Sequence, residues 1–109
     1  MNKWFLILTS LFCSSLYAGQ QTGTVGTFIV RSSDGLIYFY IKGETASGRP
    51  DCAKGHSFWM IKDENSETGK KQFSMLLAAK LSGSQIKVTG TGECTRWGDG
   101  EDVNGIQLL

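Results

Sequence analysis

The feature that most narrows the possible folds is a single helical stretch set between the third and fourth of five short β-forming runs. Residues 24–31 alternate around Val25, Phe28, Ile29 and Val30, and residues 36–41 form a denser run of β-branched and aromatic side chains. Ser32, Ser33, Asp34 and Gly35 between them supply turn chemistry, so the two runs read as a hairpin. Residues 43–55 make a polar connector, and a third strand is expected over residues 56–62, around Phe58, Trp59, Met60 and Ile61. Asp63, Glu64, Asn65 and Ser66 then offer N-cap candidates, Gly69 is an awkward early interior residue, and Gly83 provides a stop. Phe73, Leu76, Leu77 and Leu81 are expected to form the buried stripe of that helix. Met75, Ala78 and Ala79 widen it, either as further core or as a flank for contact between subunits. Ile86, Val88 and Gly90 mark a fourth strand, and residues 103–109 a fifth with Ile106 and Leu108 inward.

The N-terminus is read separately. Met1-Asn2-Lys3 gives a short positive end, residues 4–16 are largely apolar, and Tyr17-Ala18 before Gly19 offers a small-residue cleavage site. The run is shorter than the ~20 residues that span a bilayer, so residues 1–18 are expected to be a cleaved signal peptide and residues 19–109 one exported domain, periplasmic or secreted. No membrane insertion of the mature chain is expected. Cys13 leaves with the leader, and Cys52 and Cys94 remain; in an oxidising compartment their simplest fate is one disulfide. The competing metal reading lacks support, because two isolated cysteines and the lone His56 do not supply zinc spacing. Neither a metal nor a cofactor is expected.

A strand, strand, strand, helix, strand, strand order in so short a chain is that of the OB-fold, a partly open five-stranded Greek-key barrel. The fold class is thus mainly β with one helix. Cys52 would lie between strands two and three and Cys94 between four and five, so a bridge would tie two barrel loops together. Eleven basic and ten acidic residues, reduced to balance by loss of Lys3, argue against a nucleic-acid partner.

Residues 58–67 (FWMIKDENSE), the helix with Leu76-Leu77-Ala78-Ala79, and residues 90–97 (GTGECTRW) through Glu101-Asp102 resemble a group of small, uncharacterised exported bacterial proteins. The likeness covers nearly all of the mature chain. In layout the chain is more distantly similar to the OB-fold B subunits of AB5 toxins, which form pentameric rings and bind cell-surface glycans. That similarity implies sugar binding and a homo-oligomer, although no glycan-binding residue of such a subunit maps onto a position here.

Residues 94–102 gather Cys94, Arg96, Trp97, Asp99, Glu101 and Asp102 on a glycine-loosened loop, where binding residues are commonly displayed. Arg96, Trp97, Asp99, Glu101 and Asp102 are the candidate ligand-binding residues. Exposed, Trp97 and Arg96 would form a stacking platform with a donor fork. Buried, Trp97 would cap one barrel end over the disulfide while Arg96 neutralised its acidic neighbours. Asp99, Glu101, Asp102 and Asn104 are hard oxygen ligands suited to calcium, but their spacing departs from the EF-hand, and a turn with solvated carboxylates is the favoured reading.

Catalysis has little to stand on. His56 has no nucleophile elbow or free cysteine to serve, and adjacent carboxylates on one loop rarely flank a substrate as sugar hydrolysis requires. The chain is therefore read as a non-enzymatic module binding a glycan or a protein through its disulfide-tied loops. A periplasmic enzyme inhibitor or immunity-type protein is the second reading, and a small acidic-loop hydrolase the third.

Overall fold

The computed structural model describes residues 18–109. The expected signal peptide, Ala18 excepted, lies outside them. Five strands, β1 (Gln20–Val30), β2 (Ile37–Gly43), β3 (Phe58–Met60), β4 (Gln85–Gly90) and β5 (Glu101–Leu108), close a barrel in the order β1-β2-β3-β5-β4. The helix α1 (Glu67–Ser82) sits between β3 and β4. All strand pairs are antiparallel except β3 with β5, and the OB-fold-like architecture expected from the element order is the one observed.

β1 starts earlier than its apolar pattern suggests. Its polar first residues, Gln20 to Thr24, are ordered by pairing with Thr89 to Gln85 of β4, while the rest of the strand pairs with β2. A bulge between Val25 and Phe28 lets one long strand bend between both neighbours. Inside, Val25, Ile37, Phe39, Ile41, Trp59, Ile61, Ile86, Val88 and Val103 form the core with Leu76 and Ala79 of the helix. The buried Trp59 indole donates to Gln21 Oε1 at 2.8 Å, and Gln21 Nε2 donates in turn to the Glu44 carbonyl at 2.7 Å, so these two buried polar side chains are paired.

The helix is where the caps say it should be, but rolled. Ser66 caps it by accepting from the Gly69 amide at 2.9 Å, and Gly83 ends it in the left-handed region at φ 68°. Its buried face is Gly69, Gln72, Leu76 and Ala79, with Phe73 packed against Phe28; Leu77 and Leu81, expected inside, are 41% and 79% exposed. The cause is the tight seat of the first turn. A Cβ on Gly69 would fall well inside contact distance of the Asp63 carbonyl, so the small residue, not the leucines, decides which side faces inward. Gln72 then reaches the Asn104 carbonyl of β5 at 3.2 Å.

β5 also differs from expectation. It begins at Glu101, and its first residues are buried because that end is wedged between β3 and β4. Beyond a register shift opposite Thr89 and Gly90, Ile106 pairs with Val88 and packs against the core, whereas Leu108, paired with Ile86 at the strand end, is 48% exposed. Cys52 and Cys94 are bonded, with Cα atoms 6.3 Å apart, and tie the β2–β3 connector to the β4–β5 loop. Among the described residues no helix is long and apolar enough to cross a membrane.

The seat of α1 gives a test that runs against helix propensity. Gly69→Ala should lose about 1–3 kcal/mol in urea unfolding through overpacking, where an unconstrained helix position would gain about 1 kcal/mol.

Candidate functional site

β2 alternates Ile37, Phe39 and Ile41 inward with Tyr38 and Tyr40 outward, and β3 sets Phe58 outward beside them. Tyr38 pairs with Met60 and Tyr40 with Phe58 across the ladder, so the rings gather on one outer face. Ring centroids lie 6.4 Å apart for Tyr38 and Tyr40, 5.7 Å for Tyr38 and Phe58, and 6.0 Å for Tyr40 and Phe58. The exposed His56 ring extends the group, 5.6 Å from Phe58. Together with Arg31, Leu36, Met60, Trp97 and Asp99, these side chains line a depression of ≈ 300 Å³.

The rim of that depression is the loop singled out in the sequence, and the structure divides its residues into two groups. Trp97 is 40% exposed, beside the depression and not plugging the barrel, with the Arg31 guanidinium 5.0 Å from its ring centroid. Asp99 is exposed on the same edge. Arg96 does not neutralise its loop neighbours. It grips Glu64 with two hydrogen bonds of 3.0 and 3.1 Å and donates to the Asp34 carbonyl at 2.9 Å, strapping the β4–β5 loop to the helix approach and to the β1–β2 turn. The bond from Arg96 holds the Glu64 carboxyl below its ordinary range and raises the guanidinium in return.

Glu101 and Asp102 belong to the other group and correct the expectation of ligand-binding carboxylates. Both are fully buried strand residues. Asp102 accepts from the Thr95 and Arg96 amides at 3.1 Å each and from the Thr95 hydroxyl at 2.5 Å, fixing the backbone that presents Arg96 and Trp97. Glu101 Oε2 accepts from the Gly19 amide at 2.9 Å and the Gly92 amide at 3.0 Å. Its carboxylate occupies the space a side chain at residue 90 would fill, which requires Gly90. Arg49, buried and 4.1 Å over the Trp59 ring, lies with Nε 3.7 Å from Glu101 Oε1 and donates to the His56 and Phe58 carbonyls at 2.5 and 2.8 Å. Burial lowers its pKa, and the Glu101 charge opposes that. With Glu101 and Asp102 so engaged, the calcium grouping with Asp99 and Asn104 is not assembled; among the described residues no cluster of three or more His, Cys, Asp or Glu is placed to hold a metal ion.

Tyr38, Tyr40, Phe58, Arg31 and His56 are not among the ligand-binding residues expected from the sequence, although Ile37-Tyr38-Phe39-Tyr40-Ile41 carries the signal, since a period of two puts both tyrosines on one face. A larger open cleft of ≈ 1090 Å³ lies along the β2–β3 connector, lined by Glu44, Thr45, Asp51, Lys54 and others. Its walls are mainly connector residues, whereas the aromatic rings stand on paired strands, which hold side chains in place better. No protein-family model matches the chain, and no curated protein or solved structure matches it at a significant level.

The rim has a pH signature. Arg31 donates to both Asp34 carboxylate oxygens, at 3.2 and 2.6 Å, and the Leu36 amide donates at 3.1 Å; these bonds, Arg31's first, lower the Asp34 pKa from 3.8 to about 2. A depressed carboxyl stabilises fully above its unfolded value and stops doing so as pH falls through the folded one. The turn should therefore stay closed at pH 5 and loosen only between about pH 4 and pH 2, followed through the Leu36 amide resonance; a midpoint at the ordinary carboxylate value would contradict the pairing.

Proposed function

We propose that the protein is an exported, non-enzymatic binding module that recognises a glycan on the outer face of β2 and β3, with Trp97 at the rim. The observation that carries this reading is the packed group of Tyr38, Tyr40 and Phe58 on rigid strands beside an exposed tryptophan. Sugar rings present C–H faces that stack on aromatic rings, while Tyr hydroxyls, His56, Asp99 and Arg31 offer partners for sugar hydroxyls around them. The same face and the adjoining loops serve oligosaccharide and oligonucleotide recognition in OB-folds generally, which adds an argument by analogy. The balance of charge favours the neutral ligand of those two.

The disulfide fits an extracellular or periplasmic protein and supports export. A non-catalytic role is supported by Glu101 and Asp102, which are fully buried, accept from backbone amides and lie out of reach of a substrate. The homo-oligomer implied by the toxin-subunit likeness would have an apolar ridge to cover in Leu77 and Leu81, exposed one turn apart on α1. A protein partner, as an inhibitor or immunity-type role requires, is favoured by one observation: Trp97 and Arg31 are stacked, and both types are enriched where protein partners bind most tightly.

Glycan-array screening followed by titration tests the reading. Tyr40→Ala and Trp97→Ala should each weaken the best glycan by about tenfold or more with the circular dichroism spectrum unchanged. Absence of binding to every glycan, with one stoichiometric protein retained from periplasmic extract, would move the function to the inhibitor.

A further inference from the structure

We propose that hydrolysis of the Ala18–Gly19 peptide bond is a maturation step that completes the fold, because it leaves an α-ammonium group on Gly19 seated against the buried carboxylate of Glu101. Gly19 is buried and Ala18 exposed, so this bond marks the point where the chain enters the protein. The Gly19 nitrogen already donates to Glu101 Oε2 at 2.9 Å, and its carbonyl accepts from the Gly90 amide at 2.8 Å. Nothing larger than glycine fits: a Cβ there would stand 2.5 Å from Glu101 Oε1 and 2.9 Å from Arg49 Cγ. The small-residue pattern Tyr17-Ala18-Gly19 independently marks the same bond as a cleavage site.

What the site lacks is a donor for one oxygen of its carboxylate. Glu101 Oε1 and Arg49 Nε are both buried without a hydrogen-bond partner, at 3.7 Å from each other. A buried carboxylate left short of partners is costly. Replacing the amide N–H at Gly19 by an ammonium turns its bond to Glu101 into a charge-assisted one and adds N–H donors beside a carboxylate that still has an unpartnered oxygen.

In the step itself water cleaves the C–N bond: its oxygen goes to Ala18, which becomes the carboxylate of the released leader, both its protons go to the Gly19 nitrogen, which becomes an ammonium, and a peptidase of the export machinery supplies catalysis without any redox partner. Cutting precedes docking, since Gln20 is already bound in both directions to Ser47 in the fold and a peptidase needs extended chain. The unprocessed chain therefore keeps a neutral amide where the mature one places a charge.

Two measurements test this. The intact mass of protein recovered from the periplasm of an expressing bacterium should equal residues 19–109 with the disulfide formed, and a different first residue would overturn the proposal. A chain beginning at Gly19 is then compared with one beginning at Ala18, which keeps the amide hydrogen bond but moves the charge out by one residue. The Ala18 start should melt about 5 °C or more lower, and equal melting would overturn the proposal. In a Glu101→Gln background the difference should vanish; its persistence would assign it elsewhere and overturn the pairing. Should that variant fail to fold, acylation reads the same contact in the unsubstituted chain: the Gly19 amine should react about tenfold or more slowly folded than unfolded, and equal rates would overturn it.

Discussion

The carboxylate of Glu101 is the contact on which the arrangement of this barrel depends. It lies at the first residue of β5, where that strand runs parallel to β3, and it holds amides from the chain's entry point at Gly19 and from the β4–β5 loop at Gly92. Arg49 approaches from the β2–β3 connector and passes the connection on to the carbonyls flanking β3. Four segments distant in sequence thus meet at one charged group. A charge buried in this way is a weak source of net stability and a strong source of specificity, because any other register of these segments leaves it without partners.

Asp102, the next residue, does for the surface what Glu101 does for the interior. Successive strand residues point to opposite faces, and its oxygens gather the amides of Thr95 and Arg96. The loop is consequently shaped from below, and its exposed side chains are free to face outward or across to neighbouring segments. Arg96 uses that freedom to bind Glu64, and Trp97 stands at the edge of the tyrosine and phenylalanine group. The disulfide constrains the same loop from its other end at Cys94. The rim's Arg96 and Trp97 are thus positioned from beneath by a buried carboxylate, with Asp99 exposed beside them.

Much of the architecture was legible in the residue order, because hydrophobic period and turn chemistry are local and a helix between the third and fourth of five strands matches the OB-fold order. The cap at Ser66, the stop at Gly83 and the pairing of Cys52 with Cys94 belong to that legible part. What escaped depends on partners remote in sequence. Leu77 and Leu81 look like core until the approach of Asp63 to Gly69 fixes the roll of the helix. Glu101 and Asp102 look like a solvated loop because no local pattern shows that amides tens of residues away, at Gly19, will meet a carboxylate. Composition marks such residues as exposed, and only the closed barrel turns them inward.

β3 is three residues long, yet it joins an antiparallel neighbour to a parallel one and thereby closes the barrel. Its ladder to β2, the seam beneath the rings, runs over three residue pairs, with Tyr38 and Phe58 on either side. A molecule lying across those rings bridges the seam from outside while Arg49 holds it from within. A ligand bound there, as proposed, would draw on the same free energy as closure of the barrel and would register as resistance to opening.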